Sequence, residues 1–475
     1  MSSHGPGPNC EQQPRQALTL LDTTSIIVGI IIGSAVYQIA PGVLQGAVVT
    51  AQGWLGASEG GAGDSSQLAA ASIAVFFGVW IVGGLIAMIG AMCYAELATA
   101  YPQVGGTYVY LSESLGRTVG FAFAWVEFWI VRPGNIGAVA FVLAAYGEQL
   151  LPPGLREIPM ATATLAAGAI VVLAVLNAIG LRTGKGTQNV LTVCKVLGLL
   201  AVVVVGLTAS PTAGATMAPA AVQGSLSLAL IQIMFAYGGW TDMSFVAAEV
   251  RQPERNIFRA LFLGTSTVVA IYLLVNLAFL WALGVGGLVL SEEPAADVLT
   301  LRMGAHGSKV ISVLVVASCL GAVNGMLFTG SRVFYALGTH HPTFRWLGDW
   351  NERTQVPLRS LVMQVVVTLL LVAACGDKKG FERLVAFTAP FYWGPIGLVG
   401  ISLILLRLRG ATTSATYRVP LFPLTPIVFA ASSGAMVYAG VVYAIEKRSV
   451  EGWWAAAVVA GGFVFGWIDW RSRHR

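Results

Sequence analysis

The chain has 475 residues, of which 56% are hydrophobic and 10% charged. That composition excludes the three or so soluble domains that length alone suggests. It describes a polytopic membrane protein, because the apolar runs of about 20 residues match the thickness of the bilayer core.

Twelve apolar spans are predicted, near residues 18–45, 72–99, 118–147, 160–180, 188–209, 224–248, 258–286, 308–339, 358–375, 383–406, 421–445 and 452–470. The formal charge of +5 reports topology rather than a nucleic-acid partner. With the N-terminus inside, Lys and Arg concentrate in the cytoplasmic segments, the positive-inside bias, and the external loops carry acids such as Glu59, Asp64, Glu292, Glu293 and Asp297. Both termini are therefore expected in the cytoplasm, as a tail at 1–17 and a basic tail at 471–475. Met1–Gln16 is polar and Pro/Gly-rich and reads as disordered rather than as a signal peptide.

The first span contains Val28-Gly-Ile-Ile-Ile-Gly-Ser-Ala-Val-Tyr37, with glycines and a serine where a membrane helix prefers bulk. A break at Gly33-Ser34-Ala35 turns N–H groups and a positive dipole end toward the midplane, where a carboxylate can dock. Close helix packing through the Gly29/Gly33 small-xxx-small pair is the other reading. Gly78, Gly83, Gly84 and Gly90 of the second span are expected to pack against the first and sixth spans. Glu96, at the end of that span, is either an interfacial charge or part of an inner gate.

In the third span, Glu127 and Arg132 lie five residues apart and so are not expected to stack on one helix face. Charges at membrane depth need partners, and Arg132 also precedes Pro133, so a kink anchor and a functional role both stand. Lys195, two turns into the fifth span, is costly there unless paired. The sixth span carries a second interruption, Phe235-Ala-Tyr-Gly-Gly-Trp240, followed by Thr241-Asp242. Asp242 is a proton site, a counter-ion for a cationic substrate, or the partner of a nearby Arg or Lys. Breaks at corresponding places in two halves are the mark of inverted-repeat transporters. In the tenth span, Phe391-Tyr392-Trp393 supplies bulk that faces a substrate path.

The five cysteines are scattered and the five histidines avoid the membrane, so no metal site, cofactor or disulfide framework is expected. Neither His-Glu-x-x-His nor Gly-x-Ser-x-Gly occurs, which argues against an enzyme, and no repeated filter loop suggests a channel.

Several motifs occur in order: Gly29-x-Ile-Ile-Gly-Ser34, Cys93-Tyr-Ala-Glu-Leu97 with Gly105-Gly-x-Tyr-x-Tyr110, Trp125-x-Glu127 with Arg132-Pro133, Phe235–Trp240, Glu249 with Pro253-x-Arg-Asn256, and Val323-Asn-Gly-x-Leu-Phe-Thr329. Together they resemble the L-type amino acid transporter family of the amino acid–polyamine–organocation superfamily, in its bacterial form. The resemblance runs from about Leu18 to Trp470.

It implies an all-α integral membrane protein with a leucine-transporter-like five-plus-five inverted repeat, over about 18–209 and 224–406. The last two helices, about 421–470, then complete a single permease domain, 18–470. It further implies secondary active transport of small to medium neutral L-amino acids, by sodium-independent exchange or proton-coupled uptake, in the cell (inner) membrane. A polyamine or cationic amino acid permease is the alternative.

On this resemblance the substrate carboxylate meets N–H groups of Ser34 and Ala35, and the ammonium meets carbonyls of Ile31, Phe235 and Gly238. Phe235 is then a lid, with Trp240 and Thr241 beside the pocket. Lys195 takes the place of a sodium ion, with the Ser318 hydroxyl as its partner. Relatives carry glycine where this chain has Ala35, which implies a tighter or less open break. The external loop from Gly147 to Ile158 lacks the cysteine through which animal relatives join a glycoprotein subunit, so no disulfide-linked partner is expected, only a monomer or homodimer.

Overall fold

The computed structural model describes residues 14–55, 65–152, 154, 161–210, 222, 224–304, 306–375, 380–446 and 457–467. Most of the expected N-terminal tail, most of the loop over 53–66, much of that over 147–158, the turn at 377–379 and the tail at 471–475 lie outside the described residues.

In chain order the helices are α1 (Leu20–Ile31), α2 (Ala35–Gln38), α3 (Ala40–Leu55), α4 (Ser65–Ala100), α5 (Thr107–Leu115), α6 (Arg117–Leu150), α7 (Ala161–Ile179) and α8 (Leu181–Thr208). There follow α9 (Leu226–Ala236), the 3-10 helix Trp240–Glu249, α10 (Pro253–Leu290), α11 (Pro294–Met303) and α12 (His306–His340). The series ends with α13 (Leu358–Ala374), α14 (Gly380–Leu408), α15 (Leu424–Glu446) and α16 (Ala457–Trp467). Among the described residues, eight helices are long and apolar enough to cross a membrane, and α1, α13 and α16 are shorter apolar helices. Among the described residues, the isolated β-bridges are Leu18 with Val250 and Asn351 with Val356.

The helices are amphipathic in the inverted sense. On α8, Val190, Val193, Leu197, Leu200 and Val204 recur at three- and four-residue spacing and are exposed. Gln188, Thr192 and Lys195 on the other face are buried. An apolar stripe facing outward over a polar inner face is stable in hydrocarbon and unstable in water. The chain is thus a multi-pass integral membrane protein.

The core forms around α1, which packs against α8, α10 and α12. Its start is fixed by a capping box in which Thr19 and Asp22 bond each other's backbone N–H groups. The glycines of α4 hold that helix against the sixth-span segment rather than against α1. Side chains at Gly83 and Gly90 would run into Ile233 and Trp240, one at Gly84 would meet Val269 of α10, and one at Gly78 would meet open space.

Candidate functional site

The first span breaks at Ile32–Ser34. Ile32 leaves helical geometry at φ −75°, ψ 88°, the Gly33 N–H turns back to the Ile31 carbonyl (2.9 Å), and helix resumes at Ala35. The two glycines of the motif have separate roles. A side chain at Gly29 would overlap Gln188 and Thr192 of α8, so Gly29 serves packing, whereas a Cβ at Gly33 would project into open space. Ala35 is already helical, so its methyl group strains nothing at the break.

The sixth span breaks at Tyr237–Gly239. Gly239 has φ +111°, a region that residues with a Cβ adopt only at a cost. A Cβ there would lie 2.7 Å from Ile30 Cγ2 and 3.3 Å from the Ile31 nitrogen. The two breaks therefore touch, and only a residue without a side chain lets them. The Tyr272 hydroxyl of α10 lies 3.1 Å from both the Ile31 and the Ala236 carbonyl, one from each interrupted helix. The Gly239 N–H donates to the Tyr392 hydroxyl at 3.1 Å.

A cavity of about 100 Å³ opens where the breaks meet. That is roughly seven times the ~15 Å³ that one water needs, room for a small organic solute. Of the sequence-predicted residues, Ile31, Gly33, Ser34, Ala35, Phe235, Gly238, Glu127, Arg132 and Asp242 line it. Trp240, Thr241, Lys195 and Ser318 are not in its wall. Trp240 is instead buried edge-on to Tyr94 (5.2 Å) and beside Phe429 (5.7 Å), which steadies the 3-10 helix behind the cavity. Thr241 is buried, and its carbonyl accepts from Ser244 (2.7 Å). The Ile31 carbonyl already carries the Gly33 N–H and the Tyr272 hydroxyl, and the Phe235 carbonyl accepts the Gly238 N–H at 3.1 Å.

The charges of the third span do meet, contrary to the spacing argument. Residues Glu127–Val131 form a π-helical turn inside α6, closed by the Arg132 N–H on the Glu127 carbonyl. In that geometry residues five apart share a face. Arg132 Nε donates to Glu127 Oε1 at 2.8 Å, and its Nη1 and Nη2 donate to the two Asp242 oxygens at 2.6 and 3.3 Å. Thr329 of α12 adds a 2.7 Å bond to Asp242. Of the three readings of Asp242, the structure displays the ion pair.

Behind the first break, Lys195 Nζ donates to the carbonyls of Gly29 (2.7 Å), Ile32 (2.8 Å) and Ser318 (2.8 Å). An ammonium, with three N–H donors, serves all three acceptors at once, whereas a neutral amine has only two. The expected partner was the Ser318 hydroxyl. The carbonyl takes that place, because the hydroxyl turns to the Ile32 and Gly33 carbonyls at 3.1 and 3.0 Å. The freed backbone of the first break is thus satisfied from α8 and α12, as irregular backbone inside a membrane must be.

The far end of α1 is tied down as well. Asp22 accepts from Lys185 (2.8 Å) and Asn189 (2.7 Å), while the Leu18 N–H bonds the Glu249 carbonyl and the Arg251 N–H bonds that of Leu18. Glu249 and Arg332 form a two-pronged, fully buried ion pair at 2.8 and 3.0 Å. Glu96 accepts the Val419 N–H at 2.7 Å and joins α4 to the segment before α15.

Asn135, Met326, Tyr392 and Trp393 also line the cavity. The tenth-span aromatics stand out in the sequence by their bulk, whereas Asn135 and Met326 carry no local signal; only the helix register puts them there.

The family model described as amino acid permease matches residues 18–464. The chain is 30% identical to the cystine/glutamate transporter of Homo sapiens over 86% of this chain and 77% of that one. It is 27% identical to the serine/threonine exchanger SteT of Bacillus subtilis over 88% and 90%. It is 25% identical to the human b(0,+)-type amino acid transporter 1 over 95% and 87%. A match across nearly the whole length, on a bundle whose two broken helices meet at a cavity, makes this chain a transporter rather than an enzyme, and a member of the amino acid permease family.

Proposed function

We propose that the protein moves small to medium neutral L-amino acids across the cell (inner) membrane by alternating access around the cavity at the two breaks. The observation that carries this reading is the contact of the breaks over that cavity, because each break supplies backbone dipoles of opposite sense. The substrate carboxylate lies at the N–H groups of Ser34 and Ala35. The ammonium lies at the carbonyls of Ile31, Phe235 and Gly238, with Phe235 as lid and Trp240 and Thr241 behind the pocket. Both ends of a zwitterion are served without a charged side chain. A cavity of about 100 Å³ favours the smaller amino acids.

On this reading the eight long helices among the described residues, with the broken and shorter ones, make twelve crossings of a leucine-transporter-like bundle. Its repeats cover about 18–209 and 224–406, followed by two further helices over about 421–470, and both termini are cytoplasmic. The Lys195 ammonium stands where a sodium ion would otherwise join α1 to α12, so transport is sodium-independent, by exchange or with a proton. The chain works without a disulfide-linked subunit, as a monomer or homodimer.

Uptake of labelled amino acids into proteoliposomes, with and without internal substrate, tests the proposal. Amino acid methyl esters, which lack the anion, should compete poorly against their parent acids. An ester that competes equally would remove the carboxylate from the first break.

A further inference from the structure

The same cavity carries more than the reading above, on which this inference rests. Among the described residues, three charged ones line the cavity: Glu127, Arg132 and Asp242, each at most 5% exposed. With all three ionised, the described wall is formally −1. Arg132 has five N–H donors in a rigid fork. Nε, Nη1 and Nη2 are all directed at carboxylate oxygens: Nε and Nη2 at Glu127 Oε1 (2.8 and 2.7 Å), Nη1 and Nη2 at Asp242 (2.6 and 3.3 Å). The guanidinium is thus occupied from both sides and has no free fork for a second carboxylate. On the acceptor side, Asp242 Oδ2 is held by Arg132 and Thr329, while Glu127 Oε2 receives no hydrogen bond among the described residues. Lys195 directs its three donors at main-chain carbonyls and is absent from the lining.

We propose that Glu127, Arg132 and Asp242 form the subsite for the substrate's side chain, and that this subsite favours a short cationic side chain, accepts a hydroxyl and rejects a carboxylate. A cation brings donors to a wall with spare acceptor capacity and cancels its charge. An anion must displace a partner of Arg132 and raise a buried charge of like sign, which a low-dielectric site penalises heavily. The proposal extends the neutral-substrate reading toward short basic amino acids.

The test uses competitors that share one carbon skeleton and differ only at its end. These are 2-aminobutyrate (methyl), homoserine (hydroxyl), 2,4-diaminobutyrate (ammonium) and aspartate (carboxylate). Each is titrated against labelled amino acid uptake by the full chain in proteoliposomes. Diaminobutyrate should inhibit at a concentration about tenfold below homoserine, the ratio that ~1.4 kcal/mol produces, and aspartate at least about tenfold above it. Asp242→Asn neutralises the wall and should narrow the gap between diaminobutyrate and aspartate by about tenfold. Glu127→Gln removes the same unit of charge from the other side of Arg132 and serves if Asp242→Asn does not fold. Aspartate inhibiting as strongly as diaminobutyrate in the wild-type chain would overturn the proposal, as would an unchanged gap in the folded variants. Absence of uptake for every amino acid would instead sink the transport reading itself.

Discussion

Replacing Lys195 by methionine keeps most of the side chain's length and removes its charge. Three bonds of 2.7–2.8 Å from the ammonium to the Gly29, Ile32 and Ser318 carbonyls disappear. Hydrogen bonds to a charged group contribute ~1.5–3 kcal/mol each, net of desolvation, but the three share one ammonium and do not add. The Ile32 carbonyl also keeps the Ser318 hydroxyl. A net weakening of ~2–4 kcal/mol remains, a factor of about 30 to 1000 in the equilibrium that holds α1 to α12. Initial uptake rates in proteoliposomes should fall by at least about 30-fold, with the folded fraction followed in parallel by size-exclusion of a fluorescent fusion. Ser318→Ala is the internal comparison. It loses one hydroxyl proton shared between two carbonyls, ~1 kcal/mol, and should slow uptake about fivefold. A Lys195→Met protein transporting within about threefold of wild type would refute the tether.

Exchanging sodium for choline should leave uptake unchanged, because the ammonium already fills the carbonyl cage; strong sodium dependence would contradict that role. Ser34→Ala should weaken substrate binding about fivefold, the value of ~1 kcal/mol. Ser34→Pro, which deletes the N–H itself, should weaken it much further, both read by inhibition of labelled uptake. Gly239→Ala places a methyl group 2.7 Å from Ile30 at a positive φ and should abolish transport; normal uptake would show that the breaks need not touch. Glu249→Ala strands Arg332 in the core at a cost of ~3–5 kcal/mol, which a lower melting temperature in detergent should report. Glu249→Ala with Arg332→Met should recover part of it.

Glycines in apolar surroundings make both breaks legible in the chain, Gly33 at the first and Gly238-Gly239 at the second, whereas Gly29 serves packing. Lys195 was legible for a related reason: a charge at depth must have acceptors. Which acceptors it takes was not legible. The choice between the carbonyl and the hydroxyl of Ser318 depends on how α12 is rotated against α1, and no local pattern encodes that. α-Helical spacing does not describe the Glu127–Arg132 pair, because a π turn lies between the two residues. A local signal does exist. Pro133 has no N–H for the Trp129 carbonyl, so the ladder must shift near that point. Asn135 and Met326 reach the cavity through tertiary register alone.

The Tyr272 hydroxyl faces a carbonyl from each interrupted helix at the same 3.1 Å, yet it has a single hydrogen. The two breaks are therefore rivals for one donor, and whichever loses keeps a lone pair to offer. An ammonium arriving at Ile31 settles the contest and releases the phenol to Ala236. On the transport reading, occupancy at one broken helix would in this way be felt as a firmer bond at the other. A single shared proton would let the site register its cargo without any charged side chain moving.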